Sequence, residues 1–288
     1  MSLAAPAIHS GLPLSVALVV LVAAVAHATW NSIAHGIDDK LISFALLGIG
    51  GGICALPILL LSAAPDRAAV PYLLTSVVLH TVYNLLLMRC YRIGEFSQVY
   101  PVARGTSPLV VTILSAVFVH ETPSGGEIAG VLTISFGLGC LVFIGRRPDR
   151  RALLAAFATG LTIAAYTTVD GIGIRRSGGN GGYTGWLMLL ESLIIPAAVI
   201  YLRRGAFVRE ARPVWWQGML GGGVSVLAYG LVLWAQTRGA LAPIAALRET
   251  SIIVGAIIGT IFFHEKFGRS RTIATIFVVC GILLLNIT

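Results

Sequence analysis

Charge is scarce in this sequence. Of 288 residues, 11% are Asp, Glu, Lys or Arg and 57% are hydrophobic, with a mean hydropathy of +0.89. A soluble domain carries roughly 25% charged residues, so the deficit excludes a surface that mainly faces water. Long polar loops are lacking too, which excludes a soluble catalytic domain between apolar segments. Paired cysteines are missing: Cys54, Cys90, Cys140 and Cys280 stand singly with no CxxC spacing. Neither a metal cluster nor a dithiol couple is suggested, and the thiols read as small hydrophobes. His264-Glu265 is not followed by a second His at metalloprotease spacing, and neither Gly-x-Ser-x-Gly nor a Walker loop occurs. No enzyme class and no ATP-driven class is therefore indicated. Residues 1–14 contain no Lys or Arg. Without that basic stretch the first apolar segment reads as a retained span rather than a leader.

Long apolar runs fill the chain. A spanning helix needs roughly 20 apolar residues to cross about 30 Å of hydrocarbon. Ten segments qualify, at about 12–35, 41–64, 70–91, 96–119, 126–145, 152–174, 183–203, 213–237, 240–263 and 270–287. The expectation is an all-α integral membrane protein with ten transmembrane helices, placed in a bacterial inner (plasma) membrane. The net charge of +8 fits juxtamembrane Arg meeting anionic lipid better than nucleic-acid binding.

The sequence repeats itself. Arg104–Glu121 reads RGTSPLVVTILSAVFVHE and Arg248–Glu265 reads RETSIIVGAIIGTIFFHE. Both begin Arg-x-Thr-Ser and end His-Glu at an offset of 144; more weakly, Tyr83 fits Tyr229 and Asn31 fits Asp170. Residues 1–147 and 148–288 are then two five-helix repeats. An odd number of helices sends the second copy in from the opposite face, giving inverted repeats of the kind that hold a transport site at the bilayer midplane.

These features resemble the drug/metabolite transporter superfamily, in particular proteins with two EamA domains. The resemblance rests on Pro101 and Pro108 in the fourth segment ending at Glu121, the matching pattern ending at Glu265, and His-Ala-Thr-Trp-Asn at 27–31. It implies a ten-helix exporter, with the aromatic amino-acid exporter group the nearest functional analogue. It also implies both termini inside the cell. The chain differs from the usual pattern at Arg248-Glu249.

Polar residues inside spans are costly unless paired or facing a wet cavity, so they map the expected pathway. His27, Trp30 and Asn31 lie on the first segment; His80, Tyr83 and Asn84 on the third; Tyr100 and Arg104 on the fourth. Tyr166 and Asp170 lie on the sixth, Ser225 and Tyr229 on the eighth, and Arg248 and Glu249 on the ninth. Most pairs recur at i, i+3 or i+4, which puts them on one stripe of a helix. Packing histidines and interfacial aromatics are the plain alternative. Arg104 and Arg248, equivalent in the repeats, either join the halves or meet a substrate carboxylate. Adjacent on a helix, Arg248 and Glu249 point about 100° apart and do not neutralise each other. Asp170, Glu191 and Glu249 are candidate proton-coupling groups, because burial disfavours a charged carboxylate. Facilitated diffusion, with these groups satisfied by Arg, is the competing expectation. Glu121 and Glu265 at helix ends read as structural, where exposure costs little.

The expected function is a secondary transporter exporting amino acids, with apolar or aromatic side chains, or similar small metabolites. A phosphorylated-sugar, nucleotide-sugar or lipid-linked-sugar exchanger is the alternative, with Arg gripping phosphate. An intramembrane enzyme using His27 or His80 is more remote. Expected partners are the small-molecule substrate and membrane lipid, with no cofactor and no metal; the chain reads as a monomer, with a dimer as alternative. Of the twenty Lys and Arg, fourteen fall in loops after odd-numbered segments, and Arg67, Arg175, Arg176 and Arg238 fall on the other face. Positive charge stays cytoplasmic, so the residues themselves place both termini outside, against the resemblance.

Overall fold

A computed structural model describes residues 12–93, 96–140, 149–262 and 269–285, without the side chains of 91, 96–100, 256, 259–260, 262 and 269–271. Tyr100 and Glu265 therefore lie outside the described side chains. Every regular element among the described residues is helical. In chain order they are α1 (Leu14–Gly36), α2 (Lys40–Leu60), α3 (Val70–Ile93), α4 (Phe96–Leu114), α5 (Gly125–Cys140), α6 (Arg150–Arg175) and α7 (Asn180–Arg203). There follow a short connector α8 (Ala206–Ala211), then α9 (Trp215–Gln236), α10 (Leu241–Arg248), α11 (Ser251–Phe262) and α12 (Arg269–Leu285). Seven helices are long and apolar enough to cross a membrane: α1, α2, α3, α4 with the π-helical turn that follows it, α6, α7 and α9.

The helix starts are written locally. Asp39 caps α2 by accepting from the amides of Leu41 at 2.9 Å and Ile42 at 3.2 Å. Asp149 caps α6 through Arg151 N at 3.1 Å. Ser124 and Glu127 form a reciprocal capping box on α5, each side chain accepting from the other's amide at 3.2 and 2.8 Å. The outward faces are apolar: Leu18 and Val22 on α1, Leu74 and Val78 on α3, and Leu154 and Leu161 on α6 are all exposed. Water would penalise such a surface, and lipid would not.

Packing is close where side chains are absent. α2 packs on α7 and α9, α1 on α9, α3 and α4 on α6, and α5 on α12. The α2–α9 crossing depends on Gly50: a Cβ there would sit 2.6 Å from the Met219 carbonyl oxygen. Such an approach gives lipid-embedded helices the van der Waals contact that holds them together. Gly160 does the same for α6 on α4, where a Cβ would lie 2.7 Å from Ala103 O.

The single span expected at 240–263 is interrupted. α10 ends at Arg248, Glu249 and Thr250 form a turn, and α11 starts at Ser251. Around the break the amides of Glu249, Thr250, Ile252 and Ile253 bond three residues back, at 3.0–3.1 Å, rather than four. The Thr250 hydroxyl takes up Leu247 O at 2.9 Å. At the break the Glu249 carboxylate meets Arg104 on α4, with Oε2 2.8 Å from Nε. In the stretch that shares the Arg-x-Thr-Ser motif, α4 runs unbroken to a π-helical turn at Ser115–Val119, which closes on His120 at φ 60°.

Candidate functional site

Six helices enclose a cavity of about 780 Å³, its mouth included. α1 contributes His27 and Trp30; α3 contributes His80, Tyr83 and Asn84; α6 contributes Tyr166; α9 contributes Ser225 and Tyr229. These eight sequence candidates are thereby brought together. Glu191, halfway along α7, joins them, as do residues the sequence did not single out for a site: Gly48 and Gly51 of α2, Met188, Ser192 and Pro196 of α7, and Gly222 of α9. An apolar residue in an all-apolar helix gives no sequence signal of facing a cavity. Gly51 and Gly222 meet at the α2–α9 crossing, where small residues let helices approach closely, and also form bare wall.

The aromatic wall is built around His80. Its ring stacks on Tyr166 with centroids 3.9 Å apart and meets Tyr229 edge-on at 5.1 Å. Tyr83 meets Tyr166 edge-on at 5.4 Å. The Ser76 hydroxyl, one turn back on α3, lies 3.1 Å from His80 Nδ1. Asp170 sits behind this wall and does not line it. It is fully buried, and accepts from the Tyr183 hydroxyl at 2.9 Å and from the Tyr229 hydroxyl. Tyr229 thus faces the cavity while its hydroxyl is held from outside it. Asn31 likewise turns away from the wall, its amide donating to His27 O at 2.9 Å within α1.

A charged layer lies against the α1 side. Arg104 Nη2 reaches Ser251 Oγ at 3.0 Å and Arg248 O at 3.4 Å, while Nε pairs with Glu249. The two copies of the Arg-x-Thr-Ser motif therefore meet face to face. Of the two roles open to Arg104, joining the halves is the one this geometry carries out. Arg248 is also buried; its Nε and Nη2 have no hydrogen-bond partner among the described residues, and it lies within electrostatic reach of His27, His80, Tyr166 and Tyr229.

His27 links this layer to the cavity. Trp30 Nε1 points at its Nδ1 and Arg104 Nη1 at its Nε2, each at 3.2 Å. Both neighbours are donors only, and a neutral imidazole offers one acceptor nitrogen. Only one of the two contacts is a hydrogen bond at a time, and the imidazolium would satisfy neither. His27 is therefore a neutral acceptor in this state.

Across the cavity, Asn84 Nδ2 donates to Glu191 Oε1 at 3.1 Å, tying α3 to α7. This is the one hydrogen bond the described residues give Glu191, and no cation pairs with it among them. None of the described residues lining the cavity is Lys or Arg.

Glu121 departs from the expectation of a cheaply exposed helix end. Its carboxylate is mostly buried, pairs with Arg175 Nη2 at 3.0 Å and accepts from Leu241 N at 2.9 Å. Arg175 also donates to Gln236 O and Gly239 O, each at 2.8 Å. One ion pair thereby joins the ends of α6 and α9 to the start of α10. The signal missed was the pairing of Glu121 with Arg175, 54 residues apart, which spacing cannot show.

Comparison with known proteins adds the family. No curated protein sequence matches the chain. A solved crystal structure that is 16% identical superposes with a TM-score of 0.70, covering 94% of this chain and 97% of its own; at that identity the likeness shows the fold alone. Residues 150–287 match the EamA-like transporter family. With the apolar helices, the match supports an integral membrane protein that over residues 150–287 is similar to EamA-like transporters.

Proposed function

We propose that the chain is a secondary transporter with two inverted five-helix EamA-like repeats, 1–147 and 148–288, exporting amino acids or similar small metabolites by alternating access. One observation carries this reading: the cavity is walled by α1, α2 and α3 together with α6, α7 and α9, the corresponding helices of the two copies. The packing follows the same exchange. Swapping the copies turns α1 on α9 into α6 on α3, and returns α2 on α7 and α5 on α12 to themselves. Counted by repeat, α10 and α11 form one discontinuous span and α8 is a connector, which leaves ten spans. A broken helix beside a midplane cavity is a recurrent feature of such transporters.

Trp30, Phe44, Tyr83, Tyr166 and Tyr229 line the cavity, which supports cargo with an apolar or aromatic side chain. A phosphate-bearing cargo loses support, because no described wall residue is cationic. The charge bias supports a cytoplasmic location for the face that carries Arg150, Arg151, Arg203, Arg204, Arg209 and Arg212, with the termini outside. The test is purified protein in liposomes loaded with labelled amino acids. Exchange above protein-free liposomes is expected, and its absence for every amino acid would overturn the cargo class.

A further inference from the structure

Glu191 is the acidic residue of the cavity wall, and its surroundings leave it incomplete. It sits roughly 17 Å from each end of α7 at 1.5 Å per residue, near the middle of a span. A carboxylate at that depth needs a counter-charge or a full set of donors. The described residues supply one amide, from Asn84. The arginines near the cavity do not supply the charge: Arg104 pairs with Glu249, and neither Arg104 nor Arg248 is among the described lining residues or pairs with Glu191 among the described residues. The other polar wall groups are imidazole, phenol, indole, amide and hydroxyl, all neutral, His27 by the donor geometry on both its nitrogens.

We infer that Glu191, oriented by Asn84, is the binding site for an ammonium group of the transported solute. This rests on the transporter reading and names the part of the cargo that the cavity recognises. An ammonium offers three N–H donors and one positive charge, which completes the carboxylate. The Asn84 amide fixes Oε1 and leaves Oε2 to face the cargo. Tyr83, beside Asn84 on α3, and Trp30 line the same cavity, and a cation is stabilised over an aromatic face. A solute carrying only carboxylate or phosphate meets Glu191 with like charge and finds no Lys or Arg among the described wall residues to offset it.

The experiment compares 2-phenylethylamine with 3-phenylpropionate, near-isosteres that differ in the charged end, by titration calorimetry on detergent-purified full-length protein. The amine is expected to bind at least about tenfold more tightly than the acid. Glu191→Gln, checked for monodisperse elution and unchanged melting, is expected to lose that preference; Glu191→Asp is expected to keep it in part. Equal or tighter binding of the acid, amine binding unaffected by Glu191→Gln, or no binding of either compound would each overturn the assignment. Liposome exchange by the same wild-type preparation keeps the two readings apart. Exchange without amine preference sinks the Glu191 site alone, and no exchange sinks the transporter.

Discussion

Two buried acids, Glu249 and Asp170, are each held by protein partners. Glu249 is a structural counter-ion: its carboxylate faces Arg104 at 2.8 Å, with both side chains almost fully buried. Removing one member of such a pair strands the other, at about 3–5 kcal/mol. Arg104→Met should therefore melt far below wild type in detergent, whereas Arg104→Met with Glu249→Met should recover most of the loss. A double variant as unstable as the single one would mean that the pair is not the unit. Asp170 is held by two phenols behind the wall and faces no cargo. Asp170→Asn should leave the response of transport to an imposed pH gradient unchanged. A response lost in that variant would make Asp170 a coupling site. At this scale several polar residues that break apolar runs, His27, His80, Tyr83, Asn84, Tyr166, Ser225, Tyr229 and Glu191, reach the cavity, while Asn31 and Asp170 do not line it. The sequence was silent on Met188 and Pro196, because composition does not tell a wall from a core when both are apolar, and on Ser192, a small hydroxyl that bonds Leu189 O within its own helix at 2.6 Å.

Among the elements, long apolar runs became helices, seven of them long and apolar enough to cross a membrane among the described residues, while other features came from contacts between helices. Nothing within 240–263 demands a break. The break coincides with the meeting of Glu249 and Arg104 on another helix, and a pairing at long separation is invisible to periodicity. The tie of Glu121 to Arg175 and to the α10 amide is of the same kind. Glu121→Ala should free the Leu241 amide, and hydrogen exchange at that position should quicken by tenfold or more while exchange in mid-α6 stays slow. An unchanged Leu241 rate would show that the tie does not hold the end of α10. At the α2–α9 crossing, Gly50→Val places a side chain against the Met219 backbone. A cost of about 1–3 kcal/mol is expected, read as a lower melting temperature. A fully stable Gly50→Val would mean that the two helices can separate without loss.

For the molecule as a whole, the account joins a repeated sequence, a cavity walled by corresponding helices of both copies, and an EamA-like transporter domain over residues 150–287. Its central claim is that the cavity is reached from both faces of the membrane by turns. Ser225, on the cavity side of α9, offers the direct reporter. In a background with Cys54, Cys90, Cys140 and Cys280 replaced by alanine, Ser225→Cys should react with a membrane-impermeant thiol reagent applied from either face of oriented vesicles. Saturating cargo should raise the rate at one face and lower it at the other. Reaction from a single face under every condition, or equal rates that no solute shifts, would contradict alternating access through this cavity.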